Sequence, residues 1–170
     1  MNKYVFKSYS KIFPKLFDRE KKRISIHVKT ALLVEHVGST AIPGLGGKGI
    51  IDIAIGVKKQ EMETISKELQ ELGYEYRPTF STSERFYFVA YLPDPEEGQR
   101  RYHIHVTYPG SSEREELVGF RDYLLRHPEA VQEYADIKAK AALEANQQGE
   151  RYRKLKEPYF QKITSDRKGL

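Results

Sequence analysis

Three stretches of this sequence carry residue types that could do chemistry. The first is GSTAIPGLGGKG, residues 38–49, followed closely by Asp52 within IIDIAIGV. Glycine lets a backbone approach a phosphate closely, and backbone N–H groups with a hydroxyl such as that of Ser39 can donate to its oxygens. Gly38 and Ser39 are therefore candidate phosphate ligands. Asp52, on the next strand, is a candidate to hold Mg²⁺ against the same phosphates. The loop is neither GxxxxGK[ST] nor GxGxxG, and a glycine-rich connection with no ligand is the plain alternative. A charge inside IIDIAI is costly to bury unless paired or bound to metal. An ion pair with Lys48 or an arginine would also satisfy it.

The second stretch is RRYHIHVTY, residues 100–108. Strand alternation puts His103, His105 and Thr107 on one face and Ile104 and Val106 on the other. Two imidazoles one pleat apart can hold a metal together, or bind a phosphate and exchange protons with it. Equally they could be two half-exposed histidines on a sheet face. On the partner strand Arg85 and Tyr87 share one face and Phe86 and Phe88 the other. Arg85 could reach a phosphate or serve as a cross-strand cation.

The third group lies towards the carboxyl end. Arg121 and Asp122 stand beside Phe120 and Tyr123. Lys138 follows Tyr134, and Lys156 follows Tyr152, each at i+4. Such pairs read as a core ring with a lysine stem snorkelling past it. His27 and His36 have no useful partner spacing, and His127 before Pro128 reads as a helix boundary. Neither HExxH, an EF-hand loop nor a Ser-His-Asp order is present.

These residues need elements to position them. From Ser10 onward Phe13, Leu16, Phe17, Ile24, Val28, Ala31 and Leu32 share a helical face, with Pro14 tolerable in the first turn. Strands are expected at Leu33–Val37, Ile50–Val57, Tyr74–Arg77, Glu84–Leu92 and Arg100–Tyr108, the last two joined by the loop PDPEEGQ. A helix spans Glu61–Leu72 with Gly73 as its C-cap. Ser112 and Glu115 form a capping-box pattern opening a helix to Arg126. His127-Pro128 ends it and begins another, to about Asn146. A last helical stretch, Glu150–Ile163, is interrupted by Pro158. Strands in the middle and helices at the end predict an α+β fold with a mixed sheet. One domain covers 1–170, with a core at about 1–110 and a helical subregion at about 111–170.

The chain has 170 residues, 31% charged and 39% hydrophobic, an ordinary globular composition. Its lack of cysteine excludes disulfides, thiolate metal sites and a Cys nucleophile, and fits a cytoplasmic location. No apolar run approaches the ~20 residues of a membrane span. Residues 1–30 hold nine basic and two acidic side chains, and residues 149–170 seven and three, around an acidic centre. That pattern is unlike the single basic face of a nucleic-acid binder, so neither nucleic acid nor membrane is an expected partner.

EHVGSTAIPGLGGKGIIDIAIGV, residues 35–57, resembles the signature of the GrpB family. ERFYF around Arg85, YHIHVTYPGS at 102–111, GFRDYLLRHPEAVQEYADIK at 119–138 and the spacing of Tyr152, Lys156 and Tyr159 resemble further blocks of it. The resemblance implies the DNA polymerase beta-like nucleotidyltransferase superfamily, hence a mixed-sheet nucleotidyltransferase-like core with C-terminal helices. That superfamily's motif is a hydrophobic residue, Gly, Gly or Ser, a spacer, then Asp-x-Asp/Glu within a strand. Val37, Gly38, Ser39 and Asp52 fit it; Ala54 stands where the second carboxylate belongs. His103 and His105 occupy the strand where a third carboxylate is usual, and Lys48-Gly49 replaces a Lys-Pro.

The implied activity is metal-dependent transfer of a nucleotidyl group from a nucleoside triphosphate to an unidentified small acceptor. Gly38 and Ser39 would grip the phosphates, and Lys48, Arg85 and Arg121 the remaining negative charge. Asp52, with Glu35, His103 or His105, would hold Mg²⁺ or Mn²⁺. His103 and His105 could instead deprotonate the acceptor. Relatives fused to dephospho-CoA kinases hint at nucleotide or CoA-like chemistry. The alternative is a non-catalytic nucleotide- or CoA-related binding or regulatory module, which Ala54 favours.

Overall fold

The computed structural model describes residues 5–30, 33–146 and 148–169. Among them are five helices and five strands, with three short 3-10 turns. Helix α1, Ile12–His27, carries Pro14 in its first turn and buries Phe13, Leu16, Phe17 and Ile24 on one face. It ends earlier than its apolar spacing predicts. Val28 is buried but extended. Lys29 N–H and the Thr30 hydroxyl then donate to the Glu68 carboxylate, at 3.1 and 2.9 Å, drawing the chain off the helix axis. Ala31 and Leu32 lie outside the described residues.

Strands β1 (Leu33–Val37) and β2 (Ile51–Gly56) are antiparallel neighbours. Helix α2, Met62–Glu71, and strand β3, Glu75–Tyr76, lead into the hairpin of β4 (Arg85–Asp94) and β5 (Gly98–Thr107). The sheet order is β1-β2-β5-β4-β3, parallel between β2 and β5 and antiparallel elsewhere. This is the mixed sheet of an α+β fold. The hairpin turn is tighter than the PDPEEGQ stretch suggests, because strand pairing continues to Asp94↔Gly98. Asp94 accepts from the N–H groups of Glu96 and Glu97 and from Arg100 Nε at 2.6 Å. Arg100, itself buried, also donates to the Gly49 carbonyl at 2.7 Å, pinning the hairpin to the glycine loop.

Helices α3 (Ser112–Arg126), α4 (Pro128–Glu144) and α5 (Gly149–Lys168) follow. Ser111, not Ser112, caps α3 by accepting from Arg114 N–H. Ser112 is occupied elsewhere, its N–H and hydroxyl both donating to Glu84 at 2.9 and 2.5 Å. Pro158 does not interrupt α5. The carbonyl freed by its missing N–H belongs to exposed Lys154, where water can satisfy it. Tyr152, Tyr159 and Ile163 hold one buried face across it.

Two layers flank the sheet. On one face Val34, Ile51, Ile53, Ile55, Tyr102, Ile104 and Val106 form one core with Phe13, Leu16, Phe17 and Ile24 of α1 and Met62, Ile65 and Leu69 of α2. On the other side α3, α4 and α5 pack into a cluster of Leu124, Ala130, Tyr134, Tyr159 and Ile163. Ile42 and Leu45 of the glycine loop belong to that second cluster. The loop is therefore tied into the helical cluster by these apolar residues, while Pro43, Gly44 and Lys48 stay exposed. Among the described residues no helix is long and apolar enough to cross a membrane.

Candidate functional site

Directly opposed residues of neighbouring strands share a sheet face. The registers Glu35↔Ala54, Val37↔Asp52, Asp52↔His103, Ala54↔His105 and Tyr87↔His105 thus collect these side chains on the face towards α3–α5. Ile51, Ile53, Ile104 and Val106 take the other face. Four strands carry the site, and a one-residue slip in any of them would bury the chemistry in the α1–α2 core.

Asp52 is the centre. Its Oδ1 accepts from His103 Nδ1 and His105 Nε2, each at 3.1 Å. Burial works to raise the Asp52 carboxyl, but the two imidazole hydrogen bonds outweigh it and hold the group well below the usual carboxylate range. Asp52 is ionised at neutral pH, so both facing nitrogens carry hydrogen. The opposite ring nitrogens, His103 Nε2 and His105 Nδ1, are buried and make no hydrogen bond among the described residues. Tyr87 lies against both rings, 5.1 and 5.3 Å between centroids. Its hydroxyl is pushed up to about 12, mainly by burial and then by the Asp52 charge.

One carboxylate oxygen and two imidazole nitrogens lie within 4.8 Å of one another, a set that could hold a metal ion once the hydrogens on the nitrogens facing Asp52 are displaced or moved to the opposite ring positions. Such donors suit Mn²⁺, Zn²⁺, Fe²⁺ or Co²⁺ better than Mg²⁺, which favours oxygen ligands and keeps several waters. Of the two ions expected from the resemblance, the donor chemistry fits Mn²⁺.

The glycine loop reaches this centre from β1. Gly38 has φ 73 and ψ −174, and a Cβ there would stand 2.7 Å from Asp52 Oδ2. The glycine is required both by its backbone and by the carboxylate beside it. His36 holds the loop from behind. Its ring stacks on Phe17 at 4.7 Å and its Nε2 meets Thr40 Oγ1 at 2.9 Å. The Thr40 hydroxyl donates to the Ile50 carbonyl, so His36 Nε2 must be the donor of that pair. Burial lowers His36 to about 4, keeping it neutral. Farther along, a Cβ on Gly47 would meet Ser39 Oγ at 2.8 Å and Lys138 Nζ at 2.9 Å, so Ser39, Gly47 and Lys138 converge.

A cleft of about 900 Å³ opens between this face and the helices. Gly38, Ser39, Lys48, Asp52, Arg85, His103 and His105 all line it. Ser39, Asp52 and both imidazoles thus line one cleft. Arg85 sits at its edge, 3.5 Å from Glu113 and donating to the Phe80 carbonyl. Glu35 and Arg121 are not among the lining residues. Glu35, expected as a metal ligand, is held by Arg114 and by Arg121 at 3.1 Å. Arg121, expected on phosphate, also donates to the His36 carbonyl and Asp122. Both are engaged in a structural network beneath β1.

The helical wall contributes two lysines that the sequence read as snorkelling past core rings, and Arg153, which it did not single out. Lys138, Lys156 and Arg153 line the cleft with Tyr134 and Tyr152. Lys138 is 4% exposed, so it does not snorkel to water. The two Tyr-x-x-x-Lys repeats were the available signal. Each lysine lies over its tyrosine ring, at 5.2 and 4.9 Å, and the pair face the same cleft.

A family profile described as "GrpB protein" matches residues 4–166. A UPF0157 protein of Halalkalibacterium halodurans is 38% identical over 160 residues, covering 91% of this chain and 77% of that protein. A dephospho-CoA kinase of Mycolicibacterium paratuberculosis is 29% identical over 168 residues, covering 82% of this chain but 40% of that enzyme. The crystal structure of conserved protein GrpB from Enterococcus faecalis is similar at a TM-score of 0.80 and 26% identity, with 96% of each chain covered. The chain belongs to the GrpB family.

Proposed function

We propose that this GrpB-family cleft binds a nucleoside triphosphate with one divalent cation and transfers its nucleotidyl group to a small acceptor. The observation that carries the reading is the convergence of Ser39, Asp52, His103 and His105 with Lys48 in one cleft. Asp52, His103 and His105 would hold the cation, Mn²⁺ by their donor chemistry, and bound there it would neutralise charge on the phosphates. The Ser39 hydroxyl and the turn at Gly38 lie where phosphate oxygens would meet backbone donors beside Asp52. Lys48 and Arg85 add positive charge to the same cleft. In the transfer the acceptor hydroxyl loses its proton to solvent as its oxygen bonds to the α-phosphorus, and pyrophosphate leaves with the electrons of the broken P–O bond, so charge accumulates on the leaving group, where cationic side chains stabilise it.

A second reading has its own observation. Ala54 is fully buried, and Glu35 opposite it is bound by Arg114 and Arg121. Asp52 is thus the sole carboxylate in the three-residue cation set, whereas two-metal transfer needs bridging carboxylates. A non-catalytic module for a nucleotide or CoA precursor would use the same cleft without transfer, and the relative named dephospho-CoA kinase supports including CoA precursors among the ligands tried. A pyrophosphate-release assay with Mn²⁺, a panel of triphosphates and candidate acceptors separates the readings. Transfer predicts release by the wild type that His105→Ala abolishes. Tight nucleotide binding with no release from any combination favours the module.

A further inference from the structure

The cleft has two chemically different walls. The sheet wall carries Asp52 and the two imidazoles. The helical wall carries Lys138, Lys156 and Arg153, with Lys48 approaching from the loop; Glu113, Glu116 and Glu157 line it too, the first two paired with Arg85 and with Arg167 and Lys168. Lys138 is buried, and no carboxylate among the described residues forms an ion pair with it. Its ammonium lies over the Tyr134 ring and converges with Ser39 Oγ at Gly47. Lys156 lies similarly over Tyr152.

A buried ammonium without a carboxylate partner is costly. A merely structural lysine would be paired or would reach water. Here burial depresses Lys138 to about 7, and repulsion from Lys156 and Lys48 adds to the effect against the opposing pull of Asp52. Lys156 and Lys48 are lowered too, burial first and neighbouring cations next. Glu157 and Asp52 are the carboxylates that offset Lys156. Lys138 and Lys156 repel each other across the cavity, Lys48 adds to the positive field at both, and a multivalent anion bound there would relieve them.

We propose that the helical wall is a metal-independent site for a phosphate chain, gripped by Lys138 and Lys156 with Lys48 and Arg153, and blind to the base attached to it. This deepens the proposed function, on which it rests for the source of the chain. The triphosphate would lie with its distal phosphates on the helices and its reacting end towards Asp52. Phosphate recognition would then be divided between a metal-bearing sheet wall and a lysine wall that works alone.

The test is calorimetric titration of sodium tripolyphosphate, ATP and CTP into the full chain in EDTA. Wild type should bind all three, within about threefold of one another. Lys138→Met and, separately, Lys156→Met should each weaken binding at least tenfold while melting cooperatively. Asp52→Asn, which removes a repelling charge, should bind tripolyphosphate more tightly in EDTA yet lose any gain from added Mn²⁺. No binding by wild type in EDTA would overturn the proposal, as would full affinity in both lysine variants. A preference above tenfold for one nucleotide over bare tripolyphosphate would also overturn it. If EDTA abolishes binding but Mn²⁺ restores it through Asp52, the lysine wall fails and the proposed function stands. The converse pattern separates them the other way.

Discussion

Replacing Lys138 with methionine should make the protein more stable, not less. Methionine keeps the unbranched apolar stem against Tyr134 and removes the ammonium. Burial lowers the group from 10.5 to about 7, Lys156 and Lys48 reinforcing the shift and Asp52 opposing it. At about 1.36 kcal/mol per pH unit that is roughly 5 kcal/mol of destabilisation below pH 7. Against this stands the lost cation–π contact with Tyr134, about 0.5–2 kcal/mol. Replacing buried ions by apolar groups typically stabilises by about 1–4 kcal/mol. The expected net gain is about 2–3 kcal/mol. For a chain of this size that raises Tm by on the order of 4–12 °C.

The sign of the pH dependence follows from proton counting. Between pH 7 and 10.5 the unfolded chain keeps the Lys138 proton that the folded chain has shed. Wild-type stability gains from this group as pH rises through that window. The gap between Lys138→Met and wild type should be widest below pH 7 and should close towards pH 10.5. Thermal melts of both proteins from pH 5.5 to 9.5, in low-phosphate buffer, provide the measurement. A Lys138→Met protein that melts lower than wild type at pH 6, or a gap constant across the range, would refute the reasoning and make Lys138 a structural residue.

Three further substitutions probe the sheet wall. Asp52→Asn removes the acceptor that two histidines share. Because those hydrogen bonds outweigh the burial cost, it should destabilise by about 1–3 kcal/mol at pH 7 rather than relieve a desolvated charge, and chemical denaturation measures this. Gly38→Ala forces a Cβ against Asp52 Oδ2 in a backbone region almost confined to glycine. A loss of about 1–3 kcal/mol should appear with weaker Mn²⁺ binding by calorimetry. Ala54→Asp places a carboxylate at a fully buried position directly opposite Glu35. It should lower Tm and leave pyrophosphate release no higher than wild type; higher release would show that a missing second carboxylate limits the site.

The sheet was legible because its strands alternate or run apolar in short blocks bounded by glycine, proline and charge. β1 was read at its observed bounds, and Asp52, His103 and His105 could be set on one face from strand period alone. Helix ends were less legible. The end of α1 depends on Glu68, 39 residues beyond Lys29 in sequence, and the cap of α3 depends on Glu84 claiming Ser112. Within the site, the pairing of Glu35 with Arg121 was hidden for the same reason. Their residue types suit metal and phosphate, but β1 and α3 bring them to each other. Lys138 and Lys156 misled in the opposite direction. On an isolated helix a lysine above a tyrosine snorkels to water, and only the packing of α4 and α5 over the sheet turns both into a cleft.

The central claim is that one cleft holds a divalent cation on Asp52, His103 and His105 and a nucleoside triphosphate beside it. Crystals grown with Mn²⁺ and a non-hydrolysable triphosphate test it most directly, by anomalous scattering at the manganese edge. The account predicts one strong peak within bonding distance, about 2.0–2.3 Å, of Asp52 and at least one of the two imidazoles, with phosphates between it and Lys138. A nucleotide bound elsewhere, or manganese bound without Asp52, would contradict it.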